Sequence, residues 1–228
     1  MWCGGASAVS STPSSEGGGS TNCATAGYLL CDDFEGAAPG AAGSKFTMDT
    51  KGGYVVETVT TQSHSGTHSI HVNSPGGSGL GYIVETATFT PAIPDFWGRA
   101  YLRFMANGSG HEVFVAMDDS TSDSSGEQVR MFNDMGDGRI ATNRRSDDQE
   151  KESNQAIPMG QWFCFEWHET PTELRIFFNG QDLTVADETW TEPTLADLRL
   201  GFERFDSGTG GDVWIDDVAV NSTQIGCN

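Results

Sequence analysis

Two adjacent carboxylates, Asp216 and Asp217, interrupt the apolar run VWIDDVAV close to the end of a 228-residue chain. Successive side chains of a strand point to opposite faces, so one of the pair must face inward or into a seam. A buried carboxylate is costly unless it is paired, hydrogen-bonded or bound to a metal. Near the start, CDDFEG carries Asp32, Asp33 and Glu35, and HSGTHS supplies a turn around Ser65 and Gly66 whose carbonyls can point at one spot. If the first and last strands lie side by side, Glu35 and Asp216 meet there. Calcium is the natural partner, because it accepts carboxylate and carbonyl oxygens in a flexible geometry.

The elements that would position these groups read as strands. YVVETVTT, HSIHVN, GYIVETATF, RAYLRFM, HEVFVAM, EQVRMF, WFCFEWHE, ELRIFFNG, LRLGFERF and VWIDDVAV are short β-branched or aromatic runs separated by Gly, Asp, Asn, Ser and Pro. No helical period persists. Asn179-Gly180 is suited to a tight primed turn, which needs positive φ at both residues. So many short strands predict an all-β fold, a jelly roll of two antiparallel sheets forming one domain over residues 23–228. The polar stretches DDSTSDSSGE and NRRSDDQEKESNQ are expected as surface loops or loop-to-strand transitions bordering a cleft.

Thirty-two acidic against 12 basic residues give a formal net charge of -20 and a pI near 4.3, which argues against nucleic acid or an anionic membrane as partner. Cys23, Cys31, Cys164 and Cys227 are expected to form two disulfides in any of three pairings, which places the protein outside the cytoplasm. Cys3 precedes small residues and a Ser/Gly/Pro run. That arrangement resembles a mature bacterial lipoprotein, with residues 1–22 as a flexible tether and Cys3 as lipid anchor. A monomer at the cell surface or beyond it is expected.

CDDFEG, SGTHSIHV, FWGRAYLRF, GQWFCFEW and VWIDDVAV, in this order and spacing across residues 23–228, resemble the Cip1-like proteins, first known as secreted, cellulose-induced fungal proteins. The resemblance implies a jelly roll similar to glucuronan and alginate lyases, with a structural calcium ion beside the first and last strands. Its implied ligands are Glu35, the carbonyls of Ser65 and His68, and Asp216.

A lyase acting on a uronic acid needs a group to neutralise the carboxylate, a base for the C5 proton and an acid for the leaving oxygen. Gln128 and Arg130 share one face of a strand by alternation, as do Arg99, Tyr101 and Arg103. His111 opens the strand between these two, and Asn143 and Asp147 follow in NRRSDDQE. The candidate catalytic residues are therefore His111, Arg130, Tyr101 and Asn143, and the candidate substrate-binding residues are Arg103, Gln128, Asp147 and Trp190. Arg99, Arg103, Arg130, Arg139, Arg144 and Arg145 would offset the acidic field inside a cleft. Lyase relatives are expected to carry a His two residues before the Arg. Here Gln128 stands, and Gln cannot act as a general base.

The alternative is a non-catalytic carbohydrate-binding module. Trp190 is its most exposed aromatic candidate, with Trp162 and Trp214 expected in the core. The five His show neither HExxH spacing nor Cys company, which excludes a zinc motif. Nucleophile elbows and phosphate loops are also missing from the sequence, and no carboxylate pair singles out a glycosidase.

Overall fold

Strand alternation decides which side chains build the core. In β6 (Phe96–Ala106), Phe96, Ala100, Leu102 and Phe104 are fully buried. Trp97, Arg99, Tyr101 and Arg103 take the opposite face, as the two-residue period requires. The computed structural model describes residues 23, 26–106, 110–119, 126–134, 138–146, 148–189 and 194–227. The expected tether and Cys3 lie outside the described residues.

The first sheet contains β1 (Leu30–Asp32), β3 (Val55–Val59), β4 (Ser69–Ser74), β6, β11 (Phe163–Thr170), β12 (Glu173–Phe178), β13 (Gln181–Asp182), β14 (Glu188–Thr189) and β16 (Gly211–Asn221). The second contains β2 (Thr47–Lys51), β5 (Gly79–Glu85), β7 (Glu112–Asp118), β8 (Gln128–Asn133), β9 (Arg139–Arg144), β10 (Lys151–Ala156) and β15 (Leu198–Arg204). Neighbours run β13-β12-β11-β6-β16-β4-β3 in one sheet and β10-β9-β8-β7-β15-β5-β2 in the other, every pair antiparallel. The only helical turn among the described residues is the 3-10 turn Thr184–Ala186. This is the jelly roll that the strand count predicts.

Phe104, Phe114, Phe163, Phe165 and Phe202 interlock between the sheets, with ring centroids 5.2–6.0 Å apart. Trp167 closes this core against Gly98, where a Cβ would come within 2.1 Å of the indole. A smaller cluster of Tyr82, Val84, Val113, Ala116, Phe132 and Ala141 lies apart from that core and covers the opposite face of the second sheet. Asn179 and Gly180 have φ of 48° and 79°, and they join β12 to β13 as the primed turn requires. The disulfides are Cys23–Cys31 and Cys164–Cys227. Each pins one end of the chain to the first sheet.

Two expectations need correction, while NRRSDDQEKESNQ keeps its expected loop-to-strand character: its first residues end β9 and its last form β10. The polar faces of these strands hide their period. The strand expected over residues 81–89 stops at Glu85, where Glu85 accepts hydrogen bonds from the Thr88 N–H and turns the chain. Trp162 and Trp214 are half-buried rather than core. Trp214 faces outward and stacks on His71 at 4.3 Å, while Trp162 meets the edge of His64 at 5.9 Å.

Candidate functional site

The paired carboxylates sit where the chain ends meet. β1 pairs with β16, Asp32 opposite Val218. In β16 the register against β6 shifts between Asp216 and Ala219, and Asp217 adopts a φ of 48°. A bulge of this kind suspends the strict alternation of a strand. Both Asp216 and Asp217 are therefore fully buried, rather than one in and one out.

Their oxygens are met by the loop before β4. Asp216 Oδ2 accepts the N–H groups of His64 (2.7 Å) and Ser65 (3.1 Å), and Asp217 receives the Ser65 hydroxyl at 2.9 Å and contacts His64 Nδ1 at 2.6 Å. From the other side Glu35 accepts the Thr67 and His68 N–H groups, each at 2.7 Å, and packs so tightly on Gly66 that a Cβ there would overlap its carboxylate. Glu35, Ser65, His68 and Asp216 thus gather around one loop. Burial and the neighbouring Asp217 carboxylate push Asp216 up to about 8. Burial also acts upward on Glu35, but hydrogen bonds from Thr67 and His68 outweigh it and bring that carboxyl down to about 2.

The donor chemistry suits a hard cation. Carboxylates crowd this loop, and the doublet is met by the His64 ring nitrogen and by Arg99, which bonds the Asp217 carbonyl at 3.4 Å. Tyr101 belongs here and not to a cleft. It lies on the outer face of β6, stacked on His64 at 3.5 Å, and burial raises its phenol. Arg103 is on the same face, hydrogen-bonded to Gln62 at 2.5 Å. Neither joins the residues lining the open cleft, for one reason: β6 belongs to the first sheet, and that cleft lies on the second.

That cleft has a volume of about 360 Å³ and is lined by His111, Val113, Arg130, Phe132, Asn143, Arg145, Asp148 and Phe205. Val113 and Phe132 give it an apolar floor. Arg130 on β8 and Asn143 on β9 are direct cross-strand partners. Gln128, two residues along β8 and on the same face, accepts from Arg130 Nε at 2.5 Å. Asp148 closes the pair: its Oδ1 receives Asn143 Nδ2 at 2.9 Å and Arg130 Nη1 at 3.3 Å, while 73% of its side chain is exposed. Asn143 Oδ1 is buried without a hydrogen-bond partner. Burial, then the nearby Arg145, lowers the Arg130 guanidinium from its ordinary value.

At the cleft rim His111 Nε2 lies 3.5 Å from Asp134 Oδ1 and 3.7 Å from Glu150 Oε2, with its ring against Phe132. These three are the only group of three or more His, Cys, Asp or Glu among the described residues whose ligand atoms, all within 4.8 Å, suit a metal. Arg145 bonds the Gly126 carbonyl at 2.9 Å and faces Asp118 at 4.0 Å. Of the six expected arginines, only Arg130 and Arg145 line the cleft. Arg139 instead pairs with Glu152 at 2.9 Å. Asp147 and Trp190 lie outside the described residues.

The structure thus brings His111, Arg130 and Asn143 together, with Gln128 behind Arg130. It adds Asp148, Phe205 and, beneath them, Tyr82 with its hydroxyl donating to Glu203 at 3.2 Å. Alternation within LRLGFERF, which aligns Glu203 and Phe205, was the available signal for two of these. Asp148 has a φ of 50°, a turn conformation that no pattern announces.

Comparison with known proteins agrees with this architecture. Cellulose induced protein Cip1 superposes with a TM-score of 0.71 at 26% identity, over 87% of this chain and all of that one. The fold is shared with an endo-β-1,4-glucuronan lyase from the fungus Trichoderma reesei (TM-score 0.64, 12% identity, 86% of this chain and 96% of that one). It is shared as well with the alginate lyase Aly36B (TM-score 0.55, 11% identity, 86% and 97%). Among curated protein sequences none matches. The polysaccharide lyase-like family model described as the Cip1-like core domain matches residues 33–223, and the chain belongs to that family.

Proposed function

We propose that the protein binds a uronic-acid-containing polysaccharide, of the glucuronan type, in the cleft of the second sheet and cleaves it by β-elimination. One observation carries this reading: Arg130 and Asn143 already converge on a carboxylate, that of the exposed Asp148. A substrate carboxylate entering the cleft takes that place as Asp148 swings into solvent. The guanidinium and amide then stabilise the charge that builds on the carboxylate as the C5 proton leaves. Gln128 holds Arg130 in position and takes no proton. His111, oriented at the rim by Asp134 and Glu150, accepts the C5 proton as the neutral imidazole and passes it to the departing C4 oxygen. The C5–H and C4–O bonds break, and a C4–C5 double bond forms.

The test is the ultraviolet absorbance of the unsaturated uronate product on glucuronan, alginate and pectate. Growth of the signal on one of them is expected, and no product from any overturns the catalytic reading. Gln128, at the position where a base would stand in the lyases, favours a second reading, a groove that binds the same polymer uncut. Retention on uronan without product would select it.

We also propose a structural calcium ion at the chain ends, held by Glu35, Asp216 and the carbonyls of Ser65 and His68. Support comes from the two carboxylates bracketing one loop and from the burial of an acidic doublet in a chain of net charge -20. Calcium would supply the positive charge that the doublet calls for. The two disulfides fit an oxidising, extracellular setting, to which lipid attachment at Cys3 would add a surface anchor.

A further inference from the structure

We propose that Phe205 divides the cleft into two sugar subsites, so that the protein recognises at least two consecutive residues of its polymer rather than a lone uronate. This rests on the reading of the cleft as a uronan site. Phe205 follows β15 and is 53% exposed, an unusual place for a phenyl ring on a polar face. It lines the cleft described above and also a second cavity of about 200 Å³, in which Lys51, Glu203 and Arg204 take part. The ring is the wall that the two cavities share. The Arg130 guanidinium lies 4.8 Å from its centroid, which fixes the orientation of the ring from the side of the first cavity.

Each cavity has a lining residue with a buried polar atom that makes no hydrogen bond. In the first, that atom is Asn143 Oδ1. In the second, Arg204 is 2% exposed and pairs through Nη2 with Glu112, while its Nη1 has no partner. The charges differ in kind. Arg130 and Arg145 dominate the first cavity and match a uronate carboxylate. The second mixes Lys51 and Arg204 with the Glu203 carboxylate, a combination that can meet both the hydroxyls and the carboxylate of the next uronate. A carbohydrate chain laid across Phe205 places one sugar in each, with the apolar face of a ring against the phenyl.

The experiment measures binding by calorimetry of glucuronate and of its di- and tetrasaccharide to the full chain, beside the absorbance assay. Wild type should bind the oligomers more tightly than the monosaccharide. Phe205→Ala should cut oligomer affinity roughly three- to tenfold and monosaccharide affinity distinctly less, and Phe205→Trp should retain both. The variant residue is exposed, and a matched melting temperature confirms its fold. Equal losses for all lengths, or full retention by Phe205→Ala, would overturn the two-subsite division and leave the cleft reading standing. Length-dependent binding without product would overturn the lyase chemistry alone. No binding of any length by wild type would overturn both.

Discussion

The chain-end clasp on the first sheet and the cleft on the second carry opposite charge imbalances. At the clasp, Asp216 and Asp217 are fully buried and receive backbone N–H groups from His64 and Ser65, yet their negative charge exceeds what those dipoles offset. In the cleft, Arg130 and Asn143 present donors to an open volume, and their carboxylate partner, Asp148, is largely in solvent. The first imbalance is sealed, the setting of the proposed calcium ion. The second is open, the setting of the proposed polysaccharide ligand. Accessibility, more than the number of charged residues, separates structural from functional polarity in this fold.

Removing the cleft donor should have the largest effect. Arg130→Ala deletes the group facing the developing charge, and by analogy with loss of an oxyanion donor turnover should fall about 10²–10³-fold. Melting temperature should change far less, because Arg130 is held by an exposed carboxylate and by Gln128. If turnover survives while stability collapses, the cleft is a structural feature like the clasp.

The clasp should respond in the opposite sense. With calcium at roughly 100 times its dissociation constant, linkage contributes about 2.7 kcal/mol, so a strong chelator should lower the melting temperature by roughly 5–10 °C. Glu35→Ala should reproduce that loss, and added calcium should not restore it. A melting curve indifferent to chelator would mean that backbone N–H groups and His64 are enough.

Asp148 offers a sharper probe of the open side. Because its carboxylate occupies the donors that substrate needs, Asp148→Ala should raise uronate affinity by a few-fold, the scale of an exposed ion pair of about 0.2–1 kcal/mol. Weaker binding would show Asp148 to be a substrate contact rather than a stand-in.

The two regions were not equally legible in the sequence. Glu35 and Asp216 were readable because burying an acidic doublet in an apolar strand demands a partner, and because first and last strands tend to pair. The bulge that buries both aspartates was not, since it depends on a φ of 48° at Asp217 and on register against β6. In the cleft, alternation placed Gln128 and Arg130 on one face. It could not say which sheet β6 would join, so Tyr101 and Arg103 were grouped with residues on the opposite side of the core. β9 and β10 were obscured by polar residues that face the cleft or solvent.

The smallest effect expected tests whether the cleft floor carries unrelieved charge of its own. Burial raises the Glu203 carboxyl above the ordinary 4.5, with Arg130 and the Tyr82 hydroxyl pulling it down less strongly. A carboxyl that holds its proton more tightly in the folded state contributes stability below the unfolded value, and that contribution is lost as pH rises through the raised folded value. Glu203→Gln cannot ionise and lacks this loss. Measured with calcium saturating, so that the clasp is held constant, the melting temperature of the variant relative to wild type should climb as pH rises from about 4.5 and then level off. A difference that stays flat over this range would mean that Arg130 and Tyr82 fully offset the burial of Glu203. The open side would then be as well balanced internally as a closed one, and the contrast between the two regions would rest on accessibility alone.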